Sequence, residues 1–429
     1  MDFLHYLRAR NWPTLLGYVL FIGMMSVGYY YNVTFVQLGL KDLGERILGL
    51  ERTTVAAQMA LLALITCVVA LMTGWWMQRR GWGRSLPVKL RLAFGVVVLQ
   101  TLLTVATPWI LNSTLFLLWI VLTSVSLGVG VPAMFSMTVD LIPVRDRGYV
   151  AAVITALSYL AAAALANDWT VGTFTRQMLL IMPPGALLVG LLAFKRFDFM
   201  DQLAQQHRQP RFAHGRFVRA TDEATRPSRR LMAFILFMFA VYFVDSLGFL
   251  RLVDTPIFMS GTWQSQALGA RMFIGLAHVV AAAIAGILYA ALSERSLLMW
   301  SLGIFALTHF MTMFQARLLP DNDATLGMPL LYATAVSLYT VLNFAVWADL
   351  STPRTISLNS ALGVALSGWT ATFISTALAI QWQAGGMPLE RHLALVDAAA
   401  MIFFVFMLVL SLCPVGGFRP GPLLREVET

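Results

Sequence analysis

Cysteine is almost absent. Cys67 and Cys413 are the only two in 429 residues, and both lie inside apolar runs. Two such residues build neither a disulfide framework nor a metal-ligand cluster, so a small disulfide-stapled fold and a zinc site of the usual spacing are excluded. Charge is scarce as well: Asp, Glu, Lys and Arg make up 12% of the chain, against about 25% in an ordinary soluble domain. Lysine is nearly missing, with Lys41, Lys89 and Lys195 alone among 30 basic residues. Together with the abundance of Ala and Leu, that bias points to a GC-rich bacterial genome. There is no P-loop, no H-E-x-x-H pair, no G-x-S-x-G elbow and no G-x-G-x-x-G turn ahead of a helix. The expectation is therefore a protein that is not an enzyme, holds no metal or cofactor, and does not draw its energy from ATP.

What is abundant is apolar surface. Hydrophobic residues make up 59% of the chain, above the roughly 45–50% of soluble proteins. A water-soluble chain of this composition would expose aggregating patches, so lipid is the simpler solvent. Apolar runs of spanning length recur at 14–38, 55–77, 92–111, 115–139, 149–166 and 178–195, and again at 231–252, 272–292, 297–316, 327–348, 358–380 and 394–413. Crossing the hydrocarbon takes about 20 residues of helix. Barrel strands would alternate apolar and polar residues, which these runs do not, and an open sheet edge is unsatisfied in lipid. The first run continues without a small-residue cleavage site and reads as a retained span rather than a signal peptide. The organisation is six spans in residues 1–195, a polar basic linker at 196–230, and six spans with a short tail in 231–429.

The net charge of +9 needs no nucleic-acid partner. With both termini and the linker placed in the cytoplasm, the inner segments hold 22 of the basic residues and the outer segments 8. That is the asymmetry that orients membrane proteins. The linker reads as an orientation signal, with anionic headgroups as a lesser alternative. The expected location is the cell membrane, as a multi-pass protein of the bacterial inner membrane. Short echoes link the halves: Gln78-Arg79 and Glu294-Arg295 end the second and eighth spans, while Asp140-Leu141 and Asp349-Leu350, each followed by a proline, end the fourth and tenth.

Two inner loops carry a family likeness. Between the second and third spans runs Gly74-Trp-Trp-Met-Gln78-Arg79-Arg80-Gly81-Trp82-Gly83-Arg84. It resembles the G-x-x-x-D-R-x-G-R loop of the major facilitator superfamily, with Gln78 where the family usually has Asp and Arg84 displaced. Between the fourth and fifth spans, Asp140-Leu-Ile-Pro143-Val-Arg-Asp-Arg147-Gly148 is similar to the family's acidic-x-x-P-x-x-x-R-G pattern at all four positions. The resemblance covers nearly the whole chain. It implies an all-α membrane protein whose roughly twelve transmembrane helices form two six-helix bundles around a central cavity lined by spans 1, 4, 7 and 10. Arginines at helix ends can bond free carbonyls or acids of a neighbouring span, so Arg79 is expected to act as a latch, weakened by Gln78; the bland alternative is a tight basic turn. The fifth span lacks the Gly-Pro pair of the family's proton-driven drug exporters, and the fourth offers Thr123 and Ser124 where many members have arginine.

Polar groups within spans are costly and tend to be functional. Asp245 is the sharpest case, sharing a face of the seventh span with Tyr242 and Ser246 by i, i+3, i+4 spacing. An acid at that depth suits proton carriage or a cationic substrate group; the alternative is a structural pair with Arg251 or Arg271. In the first span Tyr29, Tyr30, Tyr31 and Asn32 follow one another, too many for one face, and Tyr29 and Asn32 are the candidates for the cavity. Tyr332, Tyr339, Asn343 and Trp347 fall on one face of the tenth span, an aromatic wall with convergent polar groups or ordinary interhelix packing. His278 and His309 are lesser candidates for a proton relay. The functional expectation is a secondary transporter that moves a small organic solute by alternating access as a monomer, with protons as a candidate coupling ion. The competing expectation is a membrane sensor or assembly partner that keeps the fold without transporting.

Overall fold

A computed structural model of the chain describes residues 2–165, 168, 170–195, 197–218, 227–252, 262–318 and 327–412. Among these residues twelve helices are long and apolar enough to cross a membrane. In chain order they are α1 Trp12–Ile47, α2 Arg52–Arg79, α3 Leu86–Trp109, α4 Ser113–Leu141, α5 Val144–Leu165, α6 Val171–Phe194, α7 Arg229–Gly248, α8 Leu268–Ala291, α9 Ser296–Gln315, α10 Gly327–Asp349, α11 Ile356–Ala384 and α12 Leu389–Val409. Each coincides with an apolar run. Cys413 and the tail beyond it lie outside the described residues.

Local chemistry sets the ends. Asn11 caps α1 by accepting from the Thr14 amide at 3.3 Å, and Asn112 caps α4 through the Leu115 amide at 2.9 Å. The turn between α2 and α3 passes through Gly81 at φ 70°, a left-handed conformation that glycine adopts without cost. One boundary differs clearly from the sequence reading. The first span was expected to stop at 38, yet α1 runs to Ile47 through two wide π-type segments, Asn32–Gly39 and Leu43–Ile47. Its charged last turns are mutually satisfied: Arg46 pairs with Asp42 at 2.6 Å, and Asp42 also accepts the Val171 amide at the start of α6 at 2.8 Å.

The first and second sets of six helices meet along two seams, α5 against α8 and α2 against α11. Helices in lipid associate by close packing of small residues rather than by hydrophobic burial. A methyl group added to Gly286 of α8 would meet Ala152 Cβ at 2.7 Å, and one added to Gly275 would meet Ala163 Cβ at 2.7 Å, so α5 and α8 touch backbone to backbone at both ends. Gly74 gives α2 the same approach to Ala361 and the Ser357 carbonyl of α11. At the centre lies α10, 83% buried within its spanning window against 28% for α6 and α12.

The polar linker is folded against the bundle over its first described stretch. Helix Asp198–Gln205, a 3-10 turn at Gln206–Arg208 and a short helix Pro210–Ala213 lie beneath the bundle. Met200, Leu203 and Phe212 are buried there. This end of the molecule, with the α2–α3, α4–α5 and α10–α11 turns, is called the linker face below.

Candidate functional site

Asp245 lies between α7 and α10. Tyr332 Oη donates to its Oδ1 at 2.7 Å and Tyr339 Oη to its Oδ2 at 2.7 Å. The two tyrosines are seven residues apart on α10, which places both hydroxyls on one helix face. Phe305 of α9 backs both rings, at 5.7 and 5.9 Å between centroids. Tyr242 meets Tyr339 edge to face at 5.0 Å, and Ser246 Oγ lies 3.4 Å from Thr372 Oγ1 of α11. Asp245, Tyr242 and Ser246 keep partial exposure although they are deep in the bundle. No cation among the described residues pairs with Asp245. Arg271 donates instead to the Ala163 and Ser265 carbonyls at 2.7 and 3.4 Å, and the Arg251 side chain lies outside the described residues.

The opposite wall is also aromatic. The Tyr29 and Tyr159 hydroxyls are 2.9 Å apart, joining α1 to α5. The Tyr29 ring packs edge-on against Phe344 of α10 at 5.2 Å, and Phe344 stacks with Phe135 of α4 at 5.9 Å. Tyr159 stacks on His278 of α8 at 4.1 Å, nearly parallel, while His278 Nδ1 is 3.0 Å from Ser337 Oγ. The three consecutive tyrosines therefore part company. Tyr29 faces the centre, Tyr30 donates to Gln177 of α6 at 2.7 Å, and Tyr31 stacks on Phe35 at 5.1 Å. Asn32 stays partly exposed, and its Oδ1 has no hydrogen-bond partner among the described residues. Asn343 is engaged within its own helix, its Oδ1 accepting from Trp347 Nε1 at 2.9 Å. His309 packs against Gly248 and Phe305, behind the Asp245 wall.

On the linker face the two loops do different things. Arg79 is exposed and lies over the Trp75 ring at 5.3 Å; Arg84 is exposed too. In this conformation the expected Arg79 latch is therefore not made, because the helix end already turns through Gly81 and directs the side chain outward. Gly74 and Gly83 are the parts of this loop that touch α11 and its preceding turn, with Gly83 against the Pro353 carbonyl. Gln78 is partly buried at the end of α2.

The second loop makes the cross-bundle contact. Arg147 Nη1 donates to Asp349 Oδ1 at 2.8 Å and to the Ala348 carbonyl at 3.2 Å, and Nη2 donates to the Phe212 carbonyl of the linker at 3.0 Å. Both ion-pair side chains are fully buried. Tyr289 donates to the other Asp349 oxygen at 2.7 Å and leans on Gly148. Asp140, which precedes Pro143 by one turn, is paired within the first half with Lys89 and with His207 of the linker, the latter at 3.2 Å. Lys89 also donates to the Gly83 and Ser136 carbonyls at 2.7 and 3.0 Å. The linker touches the second half as well: Gly215 N donates to Ser351 O at 3.0 Å and Phe217 N to Asp349 O at 2.9 Å.

Sequence reasoning missed Tyr159 and the bridging role of Lys89. Lys89 falls just ahead of the 92–111 run, among the basic residues of the loop, so no signal in the sequence set it apart. Among the described residues no group of three or more His, Cys, Asp or Glu is placed to hold a metal.

Residues 3–166 match the sequence model described as Major Facilitator Superfamily. A search of curated proteins finds no match. Among solved structures, the fold is similar to that of the human organic anion transporter MFSD10 (TETRAN), with a TM-score of 0.58, 17% identity, and coverage of 92% of this chain and 98% of that one. It is likewise similar to the proton:xylose symporter XylE bound to 6-bromo-6-deoxy-D-glucose, with a TM-score of 0.58, 12% identity, and coverage of 94% and 96%.

Proposed function

From a chain with the fold of the major facilitator superfamily, we propose a secondary transporter that carries a small organic solute across the cell membrane by alternating access, as a monomer, with both termini and the linker in the cytoplasm. The observation that carries this reading is Asp245, an acid within a spanning helix, fixed by two tyrosines and without a cationic partner among the described residues. Placing a carboxylate at such depth costs at least about 2.5–3.5 kcal/mol on insertion scales. A purely structural role would favour a salt bridge or an apolar side chain. A site that must take up and release a charge keeps its carboxylate available.

The linker face gives the other half of the cycle. It is held shut by Arg147–Asp349 and by linker residues wedged between the bundles. Opening it requires that pair to part and Phe212 to withdraw, while the small-residue seams α5–α8 and α2–α11 remain as the surfaces on which the bundles rock. The similarity to a proton:xylose symporter is one of fold, and proton coupling here rests on Asp245 alone.

The test is reconstitution of the purified full chain into proteoliposomes. Solute exchange at saturating solute should survive Asp245→Asn, whereas accumulation driven by an imposed pH gradient should be lost. A protein that binds ligand yet moves none would be a sensor that keeps the fold. For orientation, a cysteine at Gln209 in a cysteine-free background should resist impermeant maleimide in intact cells; prompt labelling would invert the topology.

A further inference from the structure

The charge pattern of the central site narrows what it takes, on the premise that this site binds the transported solute. Asp245 receives hydrogen bonds from two phenols. Phenols orient a carboxylate but bring no positive charge. A carboxylate offers about four lone-pair positions, so two remain beyond these bonds, and Asp245 is partly exposed. Among the described residues no basic side chain is hydrogen-bonded to Asp245: Arg271 is held by the Ala163 and Ser265 carbonyls, His278 by Ser337 and the Tyr159 ring, and His309 lies behind the site, stacked on Phe305. Lys89 and Arg147 are at the linker face, each paired with its own aspartate.

Around this one negative group stand the rings of Tyr29, Tyr159, Tyr242, Tyr339 and Phe344. Aromatic faces are the electronegative side of the ring and attract cations, more strongly when water is excluded. An anionic solute would meet an unscreened like charge, worth about 4 kcal/mol of repulsion at 4 Å for an effective dielectric of 20. A sugar would meet few carbonyl or amide groups, and the one amide oxygen on the α10 face, that of Asn343, is occupied by Trp347.

We propose that the solute is an organic cation, a protonated amine or quaternary ammonium on a compact apolar body, with its charge against Asp245 and its body among the tyrosine rings.

The test uses the purified full chain in detergent, with benzyltrimethylammonium, tetraethylammonium and benzoate as probes and thermal unfolding as the readout, since a ligand that binds the native state raises Tm. The cations should raise Tm in a saturable way and benzoate should not. Asp245→Asn should weaken the cation effect about 10-fold or more, as expected for loss of a charge-assisted contact. Tyr339→Phe, which keeps the carboxylate, should weaken it less and serves if the asparagine variant does not fold. Stabilisation by benzoate alone, by none of the probes, or by the cations equally in Asp245→Asn would each overturn the proposal. Cation binding without cation flux in proteoliposomes would keep the ligand class and overturn transport. Flux of a neutral or anionic solute without cation binding would do the reverse.

Discussion

Asp140 and Asp349 close equivalent spans in the two halves, α4 and α10, and both are fully buried. Their partners differ. Asp140 is held by Lys89 from its own half, with His207 as a second contact. Asp349 is held by Arg147 from the opposite half, with Tyr289 and the Arg216 amide beside it. The first pair can tie a bundle together and need never break. The second ties two bundles together at the face that opens in the proposed cycle, and Tyr289 and the Arg216 amide would remain as neutral donors to Asp349 if Arg147 left. A buried ion pair is costly to form and more costly to orphan. In the proposed cycle, an acid that keeps neutral donors is the one placed where the two bundles would part.

The comparison can be broken from the side of greatest effect. Lys89→Met leaves Asp140 buried without its lysine, and about 3–5 kcal/mol of stability should be lost; pairing it with Asp140→Leu should restore most of the loss in thermal unfolding. Full stability of the single variant would remove the claim that this pair fastens the bundle. Arg147→Met should cost less, because the halves can separate instead. Its signature is faster maleimide labelling of a cysteine at Ser357, which is buried in the α2–α11 seam. Equal unfolding losses for the two variants, with no change in labelling, would erase the distinction between an internal and a cross-bundle pair.

A smaller shift in the same direction should follow Gly215→Val, whose side chain would run into the Asp349 backbone and lift the linker from its place. Labelling at Ser357 should rise, though less than with Arg147→Met; an unchanged rate would mean that the linker follows the gate rather than closing it. Least of all should come from Arg79→Ala. The side chain is exposed on Trp75, and surface changes away from such networks are usually close to neutral. A marked rise in Ser357 labelling would return the latch role to Arg79.

Much of this was legible in the chain. The spans were, because lipid imposes length and apolarity on every crossing element. Asp245 was visible because a charge inside such a run stands out, and the seven-residue spacing of Tyr332 and Tyr339 already marked one face. The Arg147–Asp349 pair was half legible. Arg147 was in a recognisable loop and Asp349 was noticed as the counterpart of Asp140, but nothing local says that two residues so far apart meet. Tyr159 was hidden for the same reason, since its stack with His278 exists only where α5 crosses α8. The docking of the linker was hidden by its polarity: few apolar residues, Met200, Leu203 and Phe212 among them, are buried in it.

The enclosure of α10 bears on how the molecule is made. Its mean hydropathy, 1.5, is below the 2.3 of α12, and it carries Tyr332, Ser337, Tyr339 and Asn343 on faces that neighbouring helices cover in the finished protein. During synthesis α10 enters the membrane after the helices that hold its polar groups: Asp245 of α7 accepts from Tyr332 and Tyr339, and Ser337 meets His278 of α8. Those hydroxyls therefore find partners already in place, whereas α10 without α7 and α8 would carry them unsatisfied into lipid.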